Sequence, residues 1–174
     1  MAAQPEITIN MLGTNACVAR VRLPHPPALV YDAFTTRIDA WWPSDYRFSP
    51  EEGILGLELE AGGGCYEDVE DGRRIRWGTI LAAEQGKRLQ LAWQISPLRL
   101  LINAPEAAGE VTVTFLGDKN EAGEGTMLEL THDHFDRYGE NWQDYLNAMA
   151  SPAGWSFCLS ALTEFLGELQ LSKA

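Results

Sequence analysis

The sequence is poor in the residues from which most recognisable chemistry is built. It has three cysteines and three histidines in 174 residues. Cys17, Cys65 and Cys158 are odd in number, far apart and without a C-x-x-C pair. That spacing argues against a disulfide framework or a structural zinc site, and it suits a reducing cytoplasm. Basic residues are scarce too, 13 against 25 acidic, for a net charge of −12. Such a field repels phosphate backbones and anionic lipid surfaces, so no nucleic-acid partner is expected. The charge is read simply as keeping the chain soluble. No apolar run approaches the roughly 18 residues of a membrane span. Met1 to Asn10 lacks a basic start and a continuous apolar stretch, so no signal peptide is expected. Ser-His-Asp order, a G-x-S-x-G elbow, a P-loop and a G-x-G-x-x-G are all absent. Gly62-Gly63-Gly64 lacks the lysine and helix of a phosphate loop and reads as a sharp bend in a sheet. No repeat or linker divides the chain, so residues 1–174 read as one domain, with 1–15 as a loosely ordered N-terminal extension.

What remains is an ordinary globular balance, 45% apolar and 22% charged, arranged in two periods. Cys17, Ala19, Val21 and Leu23 alternate with Arg20 and Arg22, the pattern of a half-buried strand. Pro24, Pro26 and Pro27 end it, and Pro27 can open a helix over Ala28 to Thr36. Ile38, Trp41 and Trp42 follow, and Pro43 stops the run. Short alternating segments come next, over 55–60, 65–69, 75–81, 89–95, 110–116 and 126–132. Asp71-Gly72 and Gln85-Gly86 mark turns, and 117–125 reads as a loose hairpin loop. Close spacing of this kind predicts an antiparallel meander. Trp142, Tyr145, Leu146 and Met149 suggest a short helix. Then Trp155, Cys158, Leu159, Leu162, Phe165, Leu166 and Leu169 form one apolar stripe, with Ser151 as the expected cap and Pro152 as the first helical residue. A sheet with one polar face must bury the other, and this stripe is the only helix long enough to cover it. The expected fold is α+β: a curved antiparallel sheet around a long C-terminal helix, with two short helices after the first strand.

Several runs carry a family resemblance. They are Ile38 to Pro43 (I-D-A-W-W-P), Gly63 to Glu67 (G-G-C-Y-E), Trp77 to Leu81 (W-G-T-I-L), Leu89 to Trp93 (L-Q-L-A-W), Glu110 to Phe115 (E-V-T-V-T-F), Gly125-Thr126, Leu130-Thr131-His132 and Gly154-Trp155. In this order they resemble the START-like SRPBCC superfamily over roughly residues 16–169, and in particular its bacterial single-domain proteins related to the C-terminal domain of the heat-shock ATPase activators. The resemblance implies a helix-grip fold with a deep cavity between sheet and helix. Its members bind lipids, hormones or polyketides, and some catalyse cyclisation or hydroxylation, so fold alone does not fix function. Where relatives often read L-T-H-S-G-F, this chain has His134 in place of the glycine, which makes a more polar pocket mouth an expectation. The separate N-terminal domain of the eukaryotic co-chaperones is missing from this sequence, so a chaperone-activator role is not expected.

Candidate chemistry is sparse. His132 and His134 form an H-x-H: either both side chains share a strand face, or the pair ends the strand with one ring inward and hydrogen-bonded and the other solvated; no third ligand accompanies them, and no metal or cofactor is expected. His132 is the better candidate as a general acid or base, since parity aims it inward. Glu67 reads as a carboxylate in an apolar pocket, as a sheet-edge group in water, or as one paired with Arg74 or Arg76. The expected cavity wall is Trp77, Leu91, Trp93, Val113, Phe115, Leu130, Trp155, Leu159 and Leu162, with His132 and Glu67 supplying polar contacts. The first functional expectation is a cytoplasmic binding protein for a small apolar or aromatic molecule, with a homodimer as an option. The second is a cyclase/aromatase- or hydrolase-like enzyme using His132 or Glu67. The third is a stress-response or chaperone-associated interaction protein acting through the sheet exterior.

Overall fold

A computed structural model describes residues 6–120 and 123–172. Among them, eight strands form one antiparallel sheet. They are β1 (Ile7–Leu12), β2 (Ala16–Leu23), β3 (Ile54–Leu57), β4 (Gly64–Asp68), β5 (Arg74–Glu84), β6 (Arg88–Trp93), β7 (Gly109–Asn120) and β8 (Gly123–Asp133). Their spatial order is β1-β2-β8-β7-β6-β5-β4-β3. Helices α1 (Pro27–Thr35) and α2 (Ile38–Trp41) lie between β2 and β3, while α3 (Trp142–Ala150) and α4 (Trp155–Ser172) close the chain. This is the expected α+β helix-grip arrangement. No helix among the described residues is long and apolar enough to cross a membrane.

Three local expectations are corrected. Residues 7–12 are not a loose extension: Ile7 and Ile9 pair with Val21 and Ala19, which adds an edge strand to β2. The loose loop expected over 117–125 is mostly ladder, because β7 and β8 stay paired out to Asn120 and Gly123, with Arg22 bridging to Asp118. The long helix begins at Trp155, not at Pro152. Ser151 closes α3 instead, its hydroxyl donating to the Ala148 carbonyl at 2.6 Å. A β-carbon on Gly154 would collide with the Met149 carbonyl, so glycine permits the tight α3–α4 turn.

Strand parity places one apolar face inward. Leu89, Leu91 and Trp93 on β6, Val111, Val113 and Phe115 on β7, and Leu128, Leu130 and His132 on β8 are all buried. α4 covers this face and packs against β1, β2, α1 and α2. Over most of its length the hollow expected between sheet and helix is filled. Trp42, from the end of α2, stacks on Trp77 with ring centres 6.2 Å apart and meets Trp93 and Trp155 at 6.1 and 6.4 Å. Trp93 and Trp155 meet edge-on at 5.0 Å. Four indoles occupy the space a ligand was expected to take, and only about 10 Å³ stays open among them and Leu91 and Val111.

Candidate functional site

The candidate acid/base His132 is fully buried, with every polar atom engaged. The indole Nε1 of Trp155 donates to its Nδ1 at 3.2 Å. An indole nitrogen only donates, so Nδ1 is an acceptor and the proton of the neutral ring sits on Nε2. Nε2 lies 3.0 Å from the Tyr138 hydroxyl, which in turn donates to the Trp93 carbonyl at 2.7 Å. Burial pulls the His132 pKa down to about 3. A ring that is neutral, saturated and shielded by Trp93, Phe135 and Trp155 has no free lone pair for a substrate. The acid/base expectation for His132 is corrected: it is a packing and hydrogen-bonding residue of the core.

His134, two residues beyond His132, turns away from it. His134 sits at φ 56°, in left-handed backbone outside β8, so the two imidazoles do not share a face. His134 gathers instead with Glu110 and Asp133 at the strand ends, on a half-exposed surface. Arg137 pairs with Glu110 there at 3.0 Å, so the cluster already holds a cation of its own.

Glu67 is buried beside a thin gap walled by Trp42, Leu55 and Trp77, and it is not paired with Arg74 or Arg76. Its two carboxylate oxygens accept from the backbone N–H groups of Phe48 and Ser49, at 2.9 and 2.6 Å. Arg74 pairs with Asp68, and Arg76 reaches the Gly62 carbonyl. Glu67 is therefore a clasp that fixes the segment between α2 and β3. A β-carbon on Gly53 would strike its carboxylate, so that position needs glycine. Arg47 tightens the same segment, binding the Trp42 carbonyl and pairing with Asp39 at 2.6 Å. Together they hold Tyr46 on a short 3-10 turn, Ser44–Tyr46, and its hydroxyl donates to the Ala153 carbonyl beyond α3.

Of the expected cavity wall, the structure keeps one residue at the main pocket. Trp77, Leu91 and Trp155 face only narrow gaps; Val113, Phe115, Leu130, Leu159 and Leu162 are buried in the packed core. Trp93 alone reaches the main pocket, a cavity of about 280 Å³. It opens between the α3–α4 turn, the tight hairpin after β6 and the 3-10 turn bearing Tyr46. Trp42, Trp93, Ile95, Met149 and Cys158 form its apolar wall. Burial pushes the Cys158 thiol up to about 12, so it presents an inert S–H. Tyr145 also lines the cavity, but its hydroxyl accepts from Trp93 Nε1 at 2.8 Å and donates to the Ile95 carbonyl at 2.7 Å. A thin gap of about 10 Å³ behind Trp42 and Tyr46 leads toward Glu67 and Trp77.

Tyr46, Arg99, Tyr145, Met149 and Cys158 are site residues that the sequence reading did not assign. A partial signal exists in Tyr145 and Met149, four apart on one face of α3, and in the run Ser96-Pro97-Leu98-Arg99, whose proline marks a turn directly after an inward-facing strand.

The fold and site can now be set against known proteins. A family model described as Activator of Hsp90 ATPase homolog 1-like protein matches residues 24–167. No curated protein matches the chain. Among solved structures, an anthrahydroquino-gamma-pyrone synthase is similar at 27% identity and a TM-score of 0.58, over 86% of this chain and 96% of that one. CalU16 from Micromonospora echinospora is 20% identical with a TM-score of 0.54, over 99% of this chain and 90% of its own. A protein from Rhodobacter sphaeroides is 19% identical with a TM-score of 0.61, over 94% and 99%. The last two likenesses speak to the fold alone.

Proposed function

This chain belongs to the Activator of Hsp90 ATPase homolog 1-like family, and from that premise we propose that it binds a small apolar or aromatic molecule beside the α3–α4 turn. The observation that carries this reading is the cavity of about 280 Å³, close to the lower edge of the roughly 300–1,000 Å³ typical of small-molecule sites. Its indole walls, Trp42 and Trp93, suit a flat ring system. The likeness to an anthrahydroquino-gamma-pyrone synthase supports the same ligand shape. Binding is favoured over turnover because His132 is sealed away and Glu67 is occupied by two backbone donors.

The test is native mass spectrometry of freshly purified protein, with Ala148→Trp as control. Ala148 is exposed on α3 and lines the pocket, so a large side chain there fills the cavity without straining the core. A co-purifying small molecule that Ala148→Trp no longer carries is the expected result. Equal occupancy of both proteins would move the ligand elsewhere and end this reading.

A cyclase-like reading in the same pocket rests on the thin gap that brings Glu67 close to it. Turnover of a bound ligand that Glu67→Gln abolishes while binding persists would favour that reading over simple binding.

A further inference from the structure

The mouth of the pocket carries one formal charge. Arg99 is the only ionisable Asp, Glu, Lys, Arg or His among the lining residues. Most arginines of this acidic chain are matched by carboxylates of their own, among them Arg20, Arg22, Arg47, Arg74 and Arg137. Arg99 is not. Its side chain makes one hydrogen bond, to the Asp45 backbone carbonyl at 3.3 Å, and lies 5.9 Å from the Phe48 ring centre. Asp45 itself is exposed, and among the described residues no carboxylate pairs with Arg99. A chain with a twofold excess of acids leaves this guanidinium without one, at the rim of an apolar cavity.

A tight turn places it there. Ser96, Pro97, Leu98 and Arg99 form a turn in which the Arg99 N–H donates to the Ser96 carbonyl at 2.9 Å. Arg99 then adopts φ 63°, a left-handed conformation that costs a non-glycine residue roughly 1–2 kcal/mol. The bond from Ser96 N–H to the Leu100 carbonyl closes the hairpin at 2.8 Å. Arg99 lies near the two tyrosine hydroxyls of the wall. Burial raises the pKa of Tyr46 and of Tyr145, and the Arg99 charge pulls each back down.

We propose that the pocket selects an aromatic acid, its rings between Trp42, Trp93 and Met149 and its anionic group on the Arg99 guanidinium. This rests on the pocket being the ligand site and names the class of ligand. The planar guanidinium fork matches a carboxylate bidentately, and at the rim the anion keeps part of its hydration, so burial cost stays low. The apolar wall gives affinity to any flat ring; Arg99 discriminates by charge.

Titration calorimetry at low salt with 2-naphthoate and 2-naphthamide tests this, since the two probes share rings and size and differ in charge. The unaltered protein is expected to bind naphthoate roughly tenfold tighter than naphthamide. Arg99→Gln is expected to remove that difference while leaving naphthamide binding unchanged, and Arg99→Lys to keep part of it. Equal binding of both probes by the unaltered protein, or a preference surviving Arg99→Gln, overturns the anion pairing and leaves the pocket reading in place. Failure of both probes to bind, or binding that persists in Ala148→Trp, overturns the pocket reading itself.

Discussion

Trp93 divides the interior into two regions built on opposite principles. Behind it, His132, Tyr138 and Trp155 satisfy their donors and acceptors on one another and on the Trp93 carbonyl. In front of it, an apolar wall meets solvent, and the one cation at its rim lacks a carboxylate among the described residues. The difference shows that inward parity on a strand does not make a residue available. His132 and Trp93 both point inward from adjoining parts of the sheet, yet one is walled in by five aromatic rings and the other borders the cavity. Stability should reside behind Trp93 and selectivity in front of it.

The sharpest way to break that division is Trp155→Ala. It empties a fully packed site and orphans His132 Nδ1, and the expected loss is about 3–5 kcal/mol in urea denaturation. A loss below about 1 kcal/mol would show that the region behind Trp93 is not tightly packed.

Acid should strike the same region. The folded ring stays neutral down to about pH 3, whereas an unfolded histidine takes up its proton below about pH 6.5. The unfolded state thus binds more protons in between, and His132 favours folding fully only above pH 6.5. Stability is expected to fall by up to about 1.4 kcal/mol per pH unit, or roughly 2 kcal/mol between pH 6.5 and 5. Urea midpoints for the unaltered protein and His132→Gln across this window check it: a decline of equal slope in both would clear His132 of the effect.

On the dividing wall, Tyr145→Phe removes the acceptor of Trp93 Nε1 and the donor to the Ile95 carbonyl. The expected cost is about 1–2 kcal/mol, smaller than for Trp155 because Tyr145 is only partly buried. Hydrogen exchange should quicken at Ile95 and its neighbours; unchanged exchange there would show that this hydroxyl does not hold the wall in place.

In front of the wall, Arg99→Gln should change thermal stability by less than about 0.5 kcal/mol, since the residue is exposed and makes one long hydrogen bond. A larger loss would mean that Arg99 serves the fold and not the ligand.

Much of the fold was legible because period and parity are local. The alternation in 17–23, 89–93 and 111–115 gave strands and their inward faces, and the spacing from Trp155 to Leu169 gave the long helix. β1 was missed because its residues Met11 and Leu12 are exposed and Thr8 and Asn10 are polar, leaving a weak edge-strand pattern. The ends of β7 and β8 were missed because glycines and charged residues read as loop, whereas cross-strand pairing carries the ladder on. The inward aim of Glu67 and His132 was readable from parity, but their partners were not. Phe48 and Ser49 lie in an irregular segment, and Trp155 comes from a helix 23 residues away in sequence.

The sequence by itself determined which faces are apolar, hence the sheet, the covering helix and the membership of this family. Tertiary structure alone decided where empty space remains. Volume is set by how side chains from distant elements interlock, and here Trp42, arriving from α2, occupies the expected hollow and leaves the cavity to the α3–α4 turn and the Arg99 hairpin.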